Sequence, residues 1–291
     1  MGEILALSCA VFWAFAVIFI KRAGESVAPF PLNLFRVLFS LPLFLVTLGI
    51  RRQPLFPPAP AQDYLILAAS GIIAIAIADT LFHWSLNRVG AGITAIVDTF
   101  YSPMMVLFAF LLLDERIDLR DFIGMALIMS AVLLSGTLTP PAGCTRRKLL
   151  EGIALGMLGL ALLSFGIVIA KPVLNHSSVL WAAFFRQAAS GVALLAATLV
   201  SPRRREYLAV LKPNRSWKWM VPGTILGSYL SLICWIGGMK YTLASISGIL
   251  TQTSTVFILV LSVFFLHERM TKRKLLSAML AFSGVLLVTT H

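Results

Sequence analysis

Apolar runs of about 20 residues, the length a helix needs to cross hydrocarbon, follow one another along the whole chain with short polar gaps between them. Ten can be drawn, near 3–20, 31–50, 64–86, 91–113, 120–138, 149–170, 178–200, 217–239, 243–266 and 272–290. The pattern predicts an all-α integral membrane protein of ten transmembrane helices. The longer gaps are the Pro-rich 51–63, the joint at 139–148 and the basic 201–216. None has room for a soluble domain, so helices and turns must carry the function.

Of the chain's 12 acidic residues, all but Asp79 and Asp98 lie at or near the ends of the apolar runs. Those two flank the break Asn87-Arg88-Val89-Gly90. Folded there as an antiparallel hairpin, the chain would carry both carboxylates to one depth, roughly 13 Å from the turn at 1.5 Å per residue. His83 follows Asp79 by one helical turn and shares its face. A carboxylate in hydrocarbon is costly and normally faces a bundle interior or a watery cavity, which makes this hairpin the first candidate site.

The chain also repeats itself. Phe15, Lys21, Phe35-Arg36 and Ser40 recur 150 positions later as Phe165, Lys171, Phe185-Arg186 and Ser190. Leu113-x-Glu115-Arg116 with Arg120 recurs 153 positions later as Leu266-x-Glu268-Arg269 with Arg273. Matched charges in apolar segments are stronger signs of duplication than matched leucines. Two units follow, 1–140 and 141–291, each with five spans. An odd number of spans sets the halves in opposite orientations, the plan of many secondary transporters whose substrate site lies at the repeat interface.

These features resemble the EamA family of the drug/metabolite transporter superfamily. The resemblance rests on five spans per half, the Leu-x-x-x-Arg-like entry to the second span, fourth spans rich in Gly, Ala and Ser, and the Leu/Phe-Leu-x-Glu-Arg elements at Leu112–Arg116 and Phe265–Arg269. It covers both halves, and Leu86-Asn87-Arg88-Val89 departs from the aromatic-rich pattern usual at that point. The resemblance implies two inverted five-helix repeats and transport of a small metabolite, in a superfamily whose members move amino acids, nucleotide sugars, phosphorylated sugars, purines or drugs. An exporter of the bacterial inner membrane is the expectation. A facilitative exchanger without proton coupling, and a membrane-embedded sensor or enzyme, are the alternatives.

Composition and charge narrow this picture. With 59% hydrophobic and 12% charged residues and a mean hydropathy of +0.92, the chain is no soluble domain. The net charge of +12 gathers at span ends, where it sets topology and meets lipid headgroups rather than nucleic acid. The gaps on the side away from the N-terminus are the more basic, for which the positive-inside rule predicts a cytoplasmic face, whereas the resemblance to eukaryotic transporters implies cytosolic termini, and both orientations stay open. Met1-Gly2-Glu3 lacks the basic start of a signal peptide, and the three cysteines show no metal or disulfide spacing. No cofactor, metal or catalytic constellation is expected. The partners are a small-molecule substrate, the bilayer and protons as a candidate coupling ion, in a monomer or homodimer.

Within the spans, Asp79 and Asp98 could share or relay a proton, since neighbouring carboxylates in a low dielectric shift one another. His83 could extend the relay, and Arg36 could hold either aspartate or offer a fork to an anionic substrate. Arg186, the repeat mate of Arg36, reads as a structural or snorkelling residue, and Lys21 and Lys171 as interface anchors. Thr251 stands where Asp98 would, followed by Gln252, Thr253, Ser254 and Thr255, a run able to line a cavity or to join helices. Trp13, at mid-span, and Tyr101 are the aromatic candidates, while Trp84 and Trp235 read as interface residues. Pro103 and Pro222 are placed to break their helices.

Overall fold

The computed structural model describes residues 1–135, 145–257, 261 and 272–289. The elements are α1 (Gly2–Gly24), α2 (Pro29–Ile50), α3 (Ala61–Gly71), α4 (Asp79–Asp98), α5 (Tyr101–Leu113), α6 (Leu119–Ser135), α7 (Arg146–His176), α8 (Val179–Val200), the short α9 (Arg204–Ala209), α10 (Trp217–Thr224), α11 (Leu232–Tyr241), α12 (Ala244–Thr251) and α13 (Lys272–Thr289). Two π-helical segments, π1 (Ile72–Ala78) and π2 (Ile225–Ser231), interrupt the third span of each half. Among the described residues the regular structure is entirely helical, as hydrocarbon demands when each backbone polar group must be satisfied within its own segment.

Among the described residues six helices are long and apolar enough to cross a membrane, including Ala61–Val89 and Trp217–Tyr241, which fuse helical and π segments into single spans. The expected span 91–113 is instead interrupted by a turn at Thr99 and Phe100. Pro103 has no amide hydrogen to continue the ladder across that point. The expected spans 120–138, 243–266 and 272–290 run into residues outside the described set, as does the element around Phe265 and Arg269. Large apolar side chains such as Leu65, Phe110, Val192 and Phe282 stand exposed on the outside of the bundle, while Arg36, Arg186, Gln187, Gln252 and many Ser and Thr are buried. That inside-out distribution is the one lipid favours.

The two halves pack crosswise. α1 lies along α10, π2 and α11, and α7 lies along α3, π1 and α4. Like elements face each other, α2 on α8 and α6 on α13. Both like pairs are antiparallel. Gln187 donates to Ser40 at 2.8 Å while Ser178, one end of α8, reaches Gln53 at the far end of α2 at 2.6 Å. A Cβ on Gly124 would touch Val288, whereas one on Gly284 would touch Ile128. Opposite directions for matching elements are the mark of an inverted repeat.

The predicted hairpin is present, although α4 bounds both of its arms. A Cβ added to Gly156 of α7 would lie 2.7 Å from Ser85 Oγ and 2.9 Å from Val97 Cγ1. A straight helix would hold residues 85 and 97 roughly 18 Å apart, so the chain turns back between them. With Ser85 and Val97 level, the apex falls near residue 91 rather than 89. Asp98 is then nearer the turn than Asp79 by roughly 7 Å, not level with it. The small residues Gly152, Gly156, Gly159 and Gly166 of α7 let this hairpin and π1 approach closely, and Ser70 donates to the Gly166 carbonyl.

Gly71, at the start of π1, has the tightest backbone contact: a Cβ there would lie 2.2 Å from the carbonyl oxygen of Arg186. No rotamer relieves a clash with backbone, so Gly71→Ala should cost about 1–3 kcal/mol, the usual range for overpacking. Thermal unfolding of purified protein checks this against Gly49→Ala, whose Cβ meets nothing within 4 Å and which should leave the midpoint unchanged or higher.

Candidate functional site

Four elements bring one polar cluster together inside the bundle. Arg36 of α2 is almost wholly buried, and its Nε donates to Ser228 Oγ of π2 at 3.1 Å. Its Nη1 lies 3.4 Å from His83 Nε2 and 3.9 Å from Asp79 Oδ2. The guanidinium stands over the Trp13 ring of α1, 5.5 Å from its centroid, a cation–π geometry. His83 Nδ1 meets the Asp79 carbonyl one turn back. A proton on Nδ1 suits that contact and leaves Nε2 as an acceptor facing Arg36. The Asp79 side chain keeps 23% of its surface exposed, unlike Arg36 at 4%.

A second cluster forms where the fourth spans break. In the first half the turn at Thr99 and Phe100 follows Asp98, and in the second the turn at Gln252 and Thr253 follows Thr251. Gln252 Nε2 donates to Asp98 Oδ2 at 3.2 Å, and Ser102 Oγ lies 3.4 Å from both Gln252 Oε1 and the Gly248 carbonyl. Next to it, Trp235 Nε1 donates to the Tyr101 hydroxyl at 3.2 Å. Thr251 turns its hydroxyl back to the Ser247 carbonyl at 2.7 Å, so its bond stays within its own helix. Thr255 is buried.

The candidates named from sequence therefore divide. Arg36, Asp79, His83 and Trp13 come together, and Asp98, Tyr101 and Gln252 come together separately. Asp79 takes Arg36 as its partner while Asp98 takes Gln252. Trp235, read as an interface residue, is turned inward and 9% exposed, whereas Trp84 is 43% exposed and suits the interface.

Arg186 departs most from its reading. It is fully buried on α8 rather than snorkelling, and its guanidinium stands over Trp235, 5.4 Å from the ring centroid. It lies within electrostatic reach of Tyr101 and Asp79 and so between the two clusters. The signal that could have found it was its match to Arg36 in the repeat.

Lys171 and Glu115 were also missed as a pair. Lys171 is buried rather than anchored at the interface, and donates to the carbonyls of Met239 and Thr242 at the end of α11. Asp114 ends α5 at φ 53°, a left-handed turn that aspartate tolerates, and Glu115 follows it. The Glu115 carboxylate then accepts from Ala244 N at 2.9 Å, Ser245 N at 3.0 Å and Ser245 Oγ at 2.8 Å. A carboxylate at a helix N-terminus and an ammonium at a helix C-terminus are each placed well for the helix dipole. Together they clamp the turn between α11 and α12, on the side where the N-terminus lies. Lys21, the repeat mate of Lys171, is exposed.

The model of the EamA-like transporter family matches residues 1–137 and again 150–290. The chain belongs to that family. It is a multi-pass membrane protein, and the EamA-like repeat accounts for both halves. An uncharacterized transporter of Bacillus subtilis (strain 168), YetK, is 40% identical over 62 residues, which is 21% of this chain and 19% of that relative. The match thus spans about a fifth of the relative's length. A solved crystal structure aligns with a TM-score of 0.80 over 99% of this chain and 96% of its own, at 16% identity. At that identity the likeness speaks to the fold alone.

The Asp98 and Gln252 contact joins the two halves across their broken spans. In a double-mutant cycle of Asp98→Ala and Gln252→Ala, unfolding free energies should show a coupling of about 0.5–2 kcal/mol. Strict additivity would mean that the contact contributes nothing.

Proposed function

We propose that the protein is a secondary active transporter that exports a small metabolite across the bacterial inner membrane by alternating access of its two inverted halves. The observation that carries this reading is the meeting of both broken fourth spans at Asp98 and Gln252, beside the buried cluster of Arg36, Asp79 and His83. Broken helices free backbone groups and place side chains at mid-membrane, where a substrate can be held. Protons are the coupling ion in this reading, taken up and released at Asp79 and Asp98.

The clamp of Lys171 and Glu115 is the gate on the N-terminal side, closed in this state. The exposed Lys21, the repeat mate of Lys171, lies on the other side, and Glu268, the repeat mate of Glu115, lies outside the described residues. A two-state transporter needs such exclusive gates, since a bundle open at both ends would leak.

Reconstituted protein tested for uptake and efflux of a mixed metabolite panel, with and without a pH gradient, checks the coupling. Gradient-driven flux should fall to background in Asp79→Asn and in Asp98→Asn. Flux indifferent to both changes would remove the aspartates from coupling, and flux that instead requires substrate on the far side would mark an exchanger.

The gate has its own readout. In a background carrying Cys9→Ala, Cys144→Ala and Cys234→Ala, an Ala244→Cys reporter is buried under the clamp. Adding Lys171→Met should speed its labelling by a membrane-impermeant maleimide several-fold. Equal rates with and without the lysine would show that the clamp does not hold the gate.

A further inference from the structure

Arg186 presents a polar group with nothing to satisfy it. It is 0% exposed, and among the described residues Nε, Nη1 and Nη2 all lack a hydrogen-bond acceptor. An arginine side chain stays protonated and carries five donors in a planar fork. A buried charge in that state is strongly unfavourable unless something compensates it. The Trp235 face supplies part of that, but a ring accepts no forked pair of hydrogen bonds.

The surrounding groups narrow what completes it. Asp79 is the carboxylate within electrostatic reach, and its Oδ2 sits 3.9 Å from Arg36 Nη1. Arg36 meanwhile has Ser228 and His83 as further partners. The Tyr101 hydroxyl accepts from Trp235, which leaves its own hydrogen to donate. Arg186 therefore brings donors alone and Tyr101 a free hydroxyl hydrogen, on helices from opposite halves of the chain, beside the break that follows Asp98.

We propose that Arg186 is an anion subsite: the transported molecule carries a carboxylate or phosphate group that Arg186 grips with two parallel hydrogen bonds over the Trp235 ring, with Tyr101 as a further donor. This rests on the transport reading and adds a substrate class to it. Arg36 and Arg186 then have different jobs despite their match in the repeat. Arg36 is held by protein groups, and Arg186 is kept for the ligand. Its complete burial places it behind the closed gate, so the anion reaches it only when the bundle opens.

Equilibrium binding tests this without requiring transport. Purified protein in an uncharged detergent, free of anionic lipid, is titrated calorimetrically with sodium succinate, with inorganic phosphate and with neutral succinamide. At least one of the two anions should bind and succinamide should not. Arg186→Gln should weaken that binding at least about tenfold, the scale of a charge-assisted hydrogen bond, while Lys212→Gln, which removes an exposed surface charge, should not. Arg186→Lys keeps the charge and loses the fork, so it should bind several-fold more weakly, and it decides the matter if the glutamine variant does not fold. The inference is overturned if neither anion binds, if succinamide binds as well as succinate, or if folded Arg186 variants bind with unchanged affinity. Gradient-driven flux that depends on Asp79 or Asp98 would still stand in that case, and anion binding without any flux would count against the transport reading alone.

Discussion

A membrane helix that breaks must find partners for the groups it frees, because hydrocarbon offers none. Both fourth spans break, one at Thr99 and Phe100 and the other at Gln252 and Thr253. The amide of Gln252 reaches across to Asp98 at 3.2 Å. That side-chain bond, with Ser102 Oγ 3.4 Å from the Gly248 carbonyl, ties the two breaks together, and the crossed packing of α1 and α7 on the opposite third spans accompanies it. The polar centre is therefore shared between the halves, with Asp98 and Ser102 from one and Gln252 and the Gly248 carbonyl from the other.

A duplicated sequence does not give duplicated environments. Arg36 and Arg186 correspond in the repeat, and each has a tryptophan ring under its guanidinium, at 5.5 and 5.4 Å. Arg36 also has Ser228, His83 and Asp79, whereas Arg186 has no acceptor among the described residues. Lys21 and Lys171 differ likewise, one exposed and the other buried in a helix-end clamp. A transporter built of two equivalent halves can be open on one side only if those halves adopt different conformations at a given moment. The unequal environments of matched residues are what the proposed alternating access expects of one state.

The π-helical segments belong to the same picture. They occupy matching places in the third spans, π1 against α7 and π2 against α1. π2 supplies Ser228 to Arg36, and π1 ends where Asp79 begins. Departures from α-helical winding of this kind cluster at functional sites, and here they set the rotation of the side chains that follow.

Much of this was legible in the order of residues. Hydropathy alone specified a helical membrane protein, since only helices satisfy their own backbone over such apolar lengths. The spacing of Lys, Arg and Glu-Arg pointed to the duplication, and the antiparallel run of α2 on α8 agrees with the inversion expected of it. The Asn87-Arg88-Val89-Gly90 break specified a hairpin and the two intramembrane aspartates that mark it. Tertiary structure decided the rest. The hairpin's apex shifted to near residue 91 because close packing on Gly156 sets Ser85 and Val97 level. The π segments, written IIAIAIA and ILGSYLS, share no feature that announces them. The partners of Asp98, Arg186, Glu115 and Lys171 lie far off in sequence, on elements brought close only by the crossed packing of the halves. Periodicity reports which face of a helix is apolar, and it carries no record of which distant helix that face will meet.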